Sequence, residues 1–229
     1  MYAAMMQFSF DPIKNGYYIP FIHMTLYLAT QDIFISTAIA LKMYPANYFY
    51  WFGEHYDYLP KNWNWGKQFI RFTDTGYLAS FIYICYPAFF PVAYNVHFGI
   101  TAGYWSGRLI LGMDDRDILD NPAIDHRFES LWCDAVHGVP LILLTYRLVN
   151  STECHDYFTY TDMMYSYVWN HIWLLCVYVP WCIYTGDPVY TILANETPLK
   201  TKVLFMLSMY FLVAFSNTFG FYLNRFVLC

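Results

Sequence analysis

The composition of this chain is typical of a membrane protein and excludes most soluble classes. Its 229 residues are 58% hydrophobic, 23% aromatic and only 13% charged, whereas soluble domains carry about 25% charged residues. The net charge of -5 argues against nucleic acid as a partner, because phosphate binding needs clustered Lys and Arg. We therefore expect an all-α, polytopic integral membrane protein, with residues 1–229 forming a single transmembrane helical domain.

Six apolar stretches are long enough to cross a bilayer, which takes about 20 residues of helix. In chain order, the predicted spans cover about residues 18–43, 69–89, 92–111, 131–149, 163–184 and 203–223. Pro87 and Pro91 mark a tight connection between the second and third spans. The pattern predicts about six transmembrane helices in one bundle.

The basic residues predict how this bundle is oriented. Most of them lie on or beside the connections after the first, third and fifth predicted spans: Lys42, Lys61, Lys67, Arg71, Arg108, Arg116, Arg127, Lys200 and Lys202. Only Lys14, Arg147 and Arg225 fall on the other side. Because Lys and Arg concentrate in cytoplasmic loops, the odd-numbered connections are predicted to face the cytosol or matrix, with both termini opposite.

The connection after the first predicted span, residues 44–68, is unusually aromatic and weakly charged. This composition is typical of the cores of protein interfaces and also of membrane-interface belts. We predict that it contacts other membrane protein subunits through Tyr48, Tyr50, Trp51, Tyr56, Trp63 and Trp65. The whole composition also resembles that of hydrophobic subunits of protist mitochondrial respiratory or ATP synthase complexes. The first functional prediction is thus a non-catalytic accessory subunit of such an assembly in the mitochondrial inner membrane, making helix, lipid and inter-subunit contacts.

The connection at residues 113–130 is the most acidic segment. Its acidic residues are Asp114, Asp115, Asp117, Asp120, Asp125 and Glu129. A calcium-binding EF-hand loop requires alternating acids, a central Gly and a terminal Glu, and this order is absent. A solvated acidic loop is predicted here, without a metal ion.

Ionisable residues at membrane depth are functional candidates, because burying them is costly. They are His23, Asp32, Arg71, Asp74, His97, Arg108, Asp134, His137 and His171. A b-type haem would need two His on facing helices, and His23, His97, His137 and His171 lie in different predicted spans without a recognisable spacing. No cofactor is predicted, with haem as the alternative, and structural lipids are expected. Asp134 and His137 share one helix face, either as a base with its orienting carboxylate or as a mutually satisfied polar pair.

From about residue 66 to residue 226, the order of features resembles that of the androgen-induced protein family. The matching stretches are residues 169–190, which end in Thr185-Gly186-Asp187-Pro188-Val189-Tyr190, residues 131–144 around His137, and residues 98–105 with the acidic turn at 114–117. Residues 69–75 lie where the family carries a threonine. Members of this family are small multispanning proteins of the endoplasmic reticulum, some of which hydrolyse fatty-acid esters of hydroxy fatty acids. The resemblance implies that His137 is a base and that a threonine is the nucleophile. An unshifted alignment puts Arg71 at the threonine position, and a shift of two residues puts Thr73 there.

The alternative function is therefore a membrane-embedded hydrolase of fatty-acid esters, in the endoplasmic reticulum. Thr73 would be the nucleophile, His137 the base and Asp134 its orienting partner, and Trp169 and Trp173 would line a cleft for the acyl chain. This hypothesis requires that the Thr73 hydroxyl approaches a nitrogen of His137. Transport ranks last, because the sequence shows neither internal repeats nor the interrupted helices of a carrier.

Overall fold

The computed structural model describes residues 24–25, 36, 70–110, 126–151, 155–186 and 190–228. The chain divides into two compact units, Met1–Lys61 and Asn62–Cys229, and the helices described below belong to the second. The first predicted span lies outside the described residues except at positions 24–25 and 36. The proposed interface residues Tyr48, Tyr50, Trp51, Tyr56, Trp63 and Trp65 also lie outside them, as does the acidic connection up to residue 125.

Every regular element in the described part of the chain is helical, which confirms the all-α class. The α-helices are α1 (Phe72–Cys85), α2 (Phe90–Ile110), α3 (His126–Val149), α4 (Tyr160–Ile172), α5 (Val179–Thr185) and α6 (Leu199–Leu228). Short 3-10 turns cover Pro87–Phe89 and Thr191–Leu193. A π-helical stretch, Trp173–Tyr178, joins α4 to α5. These helices occupy the segments predicted as spans two to six.

Local signals in the sequence set the ends of these helices. The turn at Pro87–Phe89 separates α1 from α2, as the prolines predicted. Helix α4 begins with a capping box, in which the Thr159 hydroxyl accepts from the Asp162 N–H and the Asp162 carboxylate accepts from the Thr159 N–H. Helix α5 ends at Gly186, whose φ of 70° is the left-handed conformation that glycine adopts without strain.

One helix among the described residues is long and apolar enough by itself to cross a membrane. It is the segment Leu199–Phe226 of α6, with a mean hydropathy of 1.6. Helix α1 has only 14 residues, and the run from α4 to α5 is divided by the π-helical stretch. Among the described residues, the hydropathy of single helices therefore supports one membrane-spanning helix, and the six spans stay a prediction.

The described helices bury polar side chains and expose large apolar ones. Asn95 of α2 donates to Ser166 of α4 and to Asn217 of α6, and Ser216 donates back to the Asn95 carbonyl. All four side chains are buried. Phe226, in contrast, is 85% exposed. Water-soluble proteins mostly place polar side chains on the surface and large apolar ones inside. The described helices depart from this pattern in both respects.

Helix α2 lies at the centre of the described helices and contacts α1, α3, α4 and α6. It packs tightly against α1 at Gly76. A Cβ atom at this position would lie 2.5 Å from Ile100 Cδ1 and 2.9 Å from His97 Cε1. The absence of a side chain at Gly76 therefore allows α1 and α2 to pack closely enough to bring their polar residues together.

Candidate active site

Thr73 of α1 and His137 of α3 lie within hydrogen-bonding distance of each other. The Thr73 Oγ1 atom is 3.2 Å from the His137 Nε2 atom. Thr73 is buried, and His137 is half-buried. Arg71, the other residue that alignment could put at the nucleophile position, is the N-cap residue of α1. A hydroxyl next to an imidazole nitrogen at this distance has the geometry of a nucleophile with its general base.

The backbone around His137 is held by hydrogen bonds from neighbouring helices, one of them to a carbonyl that a proline leaves free. Pro140 lies inside the helix and has no N–H, so the Val136 carbonyl lacks its usual partner four residues on. The Tyr77 hydroxyl of α1 donates to this carbonyl over 3.1 Å. The Thr101 hydroxyl of α2 donates to the carbonyl of His137 itself. The backbone that carries His137 is thus tied to both neighbouring helices.

The His137 ring is stacked on Tyr104 of α2. The two ring centroids are 3.9 Å apart and the planes differ by 5°. The Tyr104 hydroxyl donates to Asp134 Oδ1 over 2.9 Å and accepts from Arg108 Nη1 over 2.7 Å, and Arg108 also forms a salt bridge with Asp134. Asp134 is thus connected to the imidazole through the Tyr104 ring. The Arg108 and Asp134 side chains are 34% and 29% exposed, so the polar end of this cluster is open.

The first turn of α1 is held by residues that follow α4. The Phe72 N–H donates to the Tyr190 hydroxyl over 2.7 Å. The Trp173 indole N–H donates to the Ile70 carbonyl over 2.8 Å, and its ring packs edge-on against Phe72 with centroids 4.9 Å apart. Tyr190, Trp173 and Tyr178 form one aromatic cluster. This cluster fixes the start of the helix on which Thr73 lies.

A second hydroxyl and imidazole pair lies two helical turns further along α1. The Ser80 Oγ atom is 2.8 Å from His97 Nε2, and both side chains are buried. The His97 imidazole also packs edge-on against Tyr77 of α1. The second pair therefore lies in the interior, between α1 and α2.

A small cavity of about 30 Å³ lies between α4 and α6, apart from Thr73 and His137. It is lined by Asn170, His171, Leu174, Met206, Met209 and Tyr210. His171 Nδ1 lies 2.7 Å from the Tyr167 carbonyl, and Nε2 lies 2.6 Å from the Tyr210 hydroxyl. Because a carbonyl only accepts, Nδ1 carries the proton and Tyr210 donates to Nε2. His171 thus connects α4 to α6 and does not contribute to the Thr73 site.

The structure brings together part of the predicted site. Thr73, His137 and Asp134 belong to one cluster, and Trp173 packs at the start of α1. Trp169 packs against Phe89, beside the apolar cluster that contains Trp173. The residues that sequence reasoning missed are Tyr77, Tyr104 and Tyr190, together with the Ser80–His97 pair. Two signals in the sequence could have indicated some of them. Pro140 lies inside a predicted helix, which implies that another group donates to the freed carbonyl. Tyr190 ends one of the stretches that resemble the androgen-induced proteins.

Comparisons with family models, with curated proteins and with solved structures give no match to this chain. The resemblance to the androgen-induced proteins stays a prediction from the residues quoted above.

Proposed function

We propose that this protein is a membrane-embedded hydrolase of fatty-acid esters, with Thr73 as the nucleophile and His137 as the general base. The observation that carries the proposal is the 3.2 Å distance between Thr73 Oγ1 and His137 Nε2. A threonine hydroxyl is a weak nucleophile until an adjacent base removes its proton, and His137 Nε2 is in reach to do so. This geometry is what distinguishes the hydrolase from the accessory-subunit prediction.

In the first half of the reaction, the Thr73 oxygen attacks the acyl carbonyl carbon while His137 Nε2 takes the hydroxyl proton. The tetrahedral intermediate then expels the alcohol, which receives the proton from His137. The product of this half is an acyl ester on Thr73. In the second half, His137 takes a proton from water, the resulting oxygen attacks the acyl carbon, and the Thr73 oxygen leaves with the proton. Ester and water thus give acid and alcohol, and the enzyme is regenerated.

We propose that the chain crosses the membrane six times and forms one helical bundle. The exposed apolar side chains of α4, α5 and α6 favour contact with lipid, as does the polar interior of Asn95, Ser166 and Asn217. The contacts at the helix ends agree with an alternating topology. The start of α1 meets the connection after α5 through Phe72 and Tyr190, and both belong to odd-numbered connections. Single cysteines in residues 113–130 and in residues 150–155 should label from opposite sides of sealed vesicles.

The proposal is tested by measuring ester hydrolysis with the full chain extracted in mild detergent. Long-chain fatty-acid esters, including a fatty-acid ester of a hydroxy fatty acid, are the substrates, and the released acid is quantified by mass spectrometry. Wild-type protein should release acid at a rate proportional to its concentration, and Thr73→Ala should not. Equal rates from wild type and Thr73→Ala would overturn the proposal, because the activity would then come from a contaminant or from another site.

A second candidate is the accessory subunit of a membrane assembly, in the mitochondrial inner membrane. It is favoured by a row of exposed, mutually packed phenylalanines on α6, Phe211, Phe215 and Phe219, which either lipid or a partner helix can cover. Native electrophoresis of gently solubilised membranes tests this candidate. Co-migration with a large stoichiometric complex supports it, and migration as a small species supports the free hydrolase.

A further inference from the structure

The geometry points to Tyr190 as a catalytic residue: we infer that its hydroxyl, together with the backbone N–H of Thr73, stabilises the oxyanion formed when Thr73 attacks an ester carbonyl. This inference rests on the proposed hydrolase function. Acyl transfer places a negative charge on the former carbonyl oxygen, and preorganised donors beside the nucleophile are often the largest catalytic contribution. The Thr73–His137 pair supplies the nucleophile and the base but no such donor.

The Tyr190 hydroxyl has a proton available for this role. A tyrosine hydroxyl donates one hydrogen bond and accepts others. The Phe72 N–H uses it as an acceptor, over 2.7 Å. Among the described residues no group accepts the Tyr190 proton. The hydroxyl is therefore fixed in position by its accepted bond, next to the residue that precedes the nucleophile, and no described residue takes its proton.

The first turn of α1 supplies the second donor. The amides of a first helical turn have no acceptor within the helix and point out of its N-terminus. The Phe72 N–H is taken by Tyr190, and the Asp74 N–H donates to the Arg71 carbonyl. Between them lies the Thr73 N–H, to which no described residue outside the helix is bonded. It belongs to the nucleophile itself, so it is close to any carbonyl that the Thr73 oxygen attacks.

The Tyr190 hydroxyl also stays protonated under working conditions. Burial of the ring is the largest effect and raises the pKa of Tyr190 to about 12. The Phe72 amide and the charge of Arg71 lower this pKa, and the charge of Asp74 raises it. At neutral pH the group is therefore a neutral donor, as an oxyanion site requires.

The variant Tyr190→Phe tests this inference, because it keeps the ring and its packing but removes the donor. We expect kcat/KM for a long-chain fatty-acid ester to fall by about 10²–10³-fold, the usual effect of removing one oxyanion donor, with KM little changed. Affinity for an acyl trifluoromethyl ketone, which forms a tetrahedral adduct with the nucleophile, should fall in parallel. The matched control is Tyr178→Phe, which removes a hydroxyl from the same aromatic cluster but not from the start of α1, and it should retain wild-type kcat/KM.

An unchanged kcat/KM in folded Tyr190→Phe would overturn the inference. A rise in KM with unchanged kcat would also overturn it, because Tyr190 would then contribute only to binding of the substrate ground state. If Tyr190→Phe fails to fold, fluorotyrosine at position 190 keeps the hydroxyl and increases its acidity. Ketone affinity should then change with the degree of fluorination, and an unchanged affinity would contradict the oxyanion role. Failure of the hydrolase proposal gives a different result, since wild type and Thr73→Ala would then be equally inactive.

Discussion

Helix α1 carries two hydroxyl groups on one face, and each is paired with an imidazole of a neighbouring helix. The two pairs differ in how far their surroundings are exposed, and this difference determines which pair can take part in chemistry. In the first pair, Thr73 contacts a half-buried His137 whose neighbours Asp134 and Arg108 are partly exposed. In the second, Ser80 contacts His97, which is 1% exposed and lies against Gly76 and Tyr77 of α1. The two contacts have similar geometry, but only the first has a half-buried imidazole and partly exposed polar neighbours.

The difference shows that a hydrogen bond between a hydroxyl and an imidazole does not by itself indicate catalysis. A general base must exchange protons with substrate and water, which needs an accessible nitrogen. A fully buried pair such as Ser80–His97 instead satisfies two polar groups that would be costly to bury alone. We interpret the first pair as chemical and the second as structural.

The largest expected effect is on turnover when the Thr73 pair is broken. Thr73→Ala and His137→Ala should each lower kcat by about 10⁴-fold or more, since nucleophile and base act as a unit, while the melting temperature in detergent changes little. Ser80→Ala should do the reverse. It should keep kcat per folded molecule and lower the free energy of unfolding by about 1–3 kcal/mol, because His97 loses a buried partner.

Both readouts come from one set of samples, with acid release measured by mass spectrometry and unfolding by a thiol-reactive dye. Loss of turnover in folded Ser80→Ala, with Thr73→Ala still active, would reverse the two roles.

A smaller effect on turnover is expected at Tyr104, whose ring is stacked on His137. Tyr104→Leu removes the flat surface that holds the imidazole, and we expect kcat to fall by about ten- to a hundredfold, as for other losses of alignment. Tyr104→Phe keeps the ring but loses the bonds to Asp134 and Arg108, and it should retain more of the activity. Steady-state kinetics of both variants give the comparison. Identical loss in both would mean that the hydroxyl, and not the stacked ring, positions His137.

The packing of α1 against α2 affects both pairs at once through Gly76. Gly76→Ala places a methyl group within 2.5 Å of Ile100 Cδ1, and overpacking of this kind costs about 1–3 kcal/mol. The matched control is Gly103→Ala in α2, where a Cβ meets nothing within 4 Å. That substitution should be neutral or stabilise the helix by about 0.5–1 kcal/mol. The unfolding temperature should thus fall in Gly76→Ala and stay unchanged or rise in Gly103→Ala, and equal shifts would contradict the close contact at Gly76.

The smallest expected effect concerns the carbonyl that Pro140 leaves without its usual partner. Tyr77→Phe removes the donor to the Val136 carbonyl and should cost about 1 kcal/mol. Pro140→Ala restores a backbone N–H that can donate to the same carbonyl. In a double-mutant cycle the loss from Tyr77→Phe should therefore be smaller in the Pro140→Ala background. Additive losses would show that Tyr77 does not substitute for the missing amide.

Part of this account could be predicted from the sequence. The helical class and the approximate positions of the helices follow from long apolar stretches and from Pro87 and Gly186, which are local signals. The assignment of His137 as a base came from the resemblance and from its pairing with Asp134. The choice between Arg71 and Thr73 could not be made from the sequence, because it depends on the rotation of α1 relative to α3.

The contacts that surround the site could not be predicted for the same reason. The pairing of Ser80 with His97 depends on how closely α1 approaches α2 at Gly76. Tyr104 is one of 24 tyrosines in the sequence, and its stacking on His137 depends on the packing of α2 against α3. Tyr190 is distant from Thr73 in sequence, and only the return of the chain after α5 brings the two regions together.

The most direct test of the central claim is to identify which residue a long-chain alkyl fluorophosphonate modifies. The full chain in mild detergent is incubated with the probe, and the adduct is located by peptide mapping with mass spectrometry. Attack by an activated hydroxyl forms an oxygen–phosphorus bond and releases fluoride, with the proton passing to the base. The account predicts one adduct, on Thr73, which is absent in His137→Ala and present in Ser80→Ala. An unmodified Thr73, or an adduct on Ser80 instead, would contradict it.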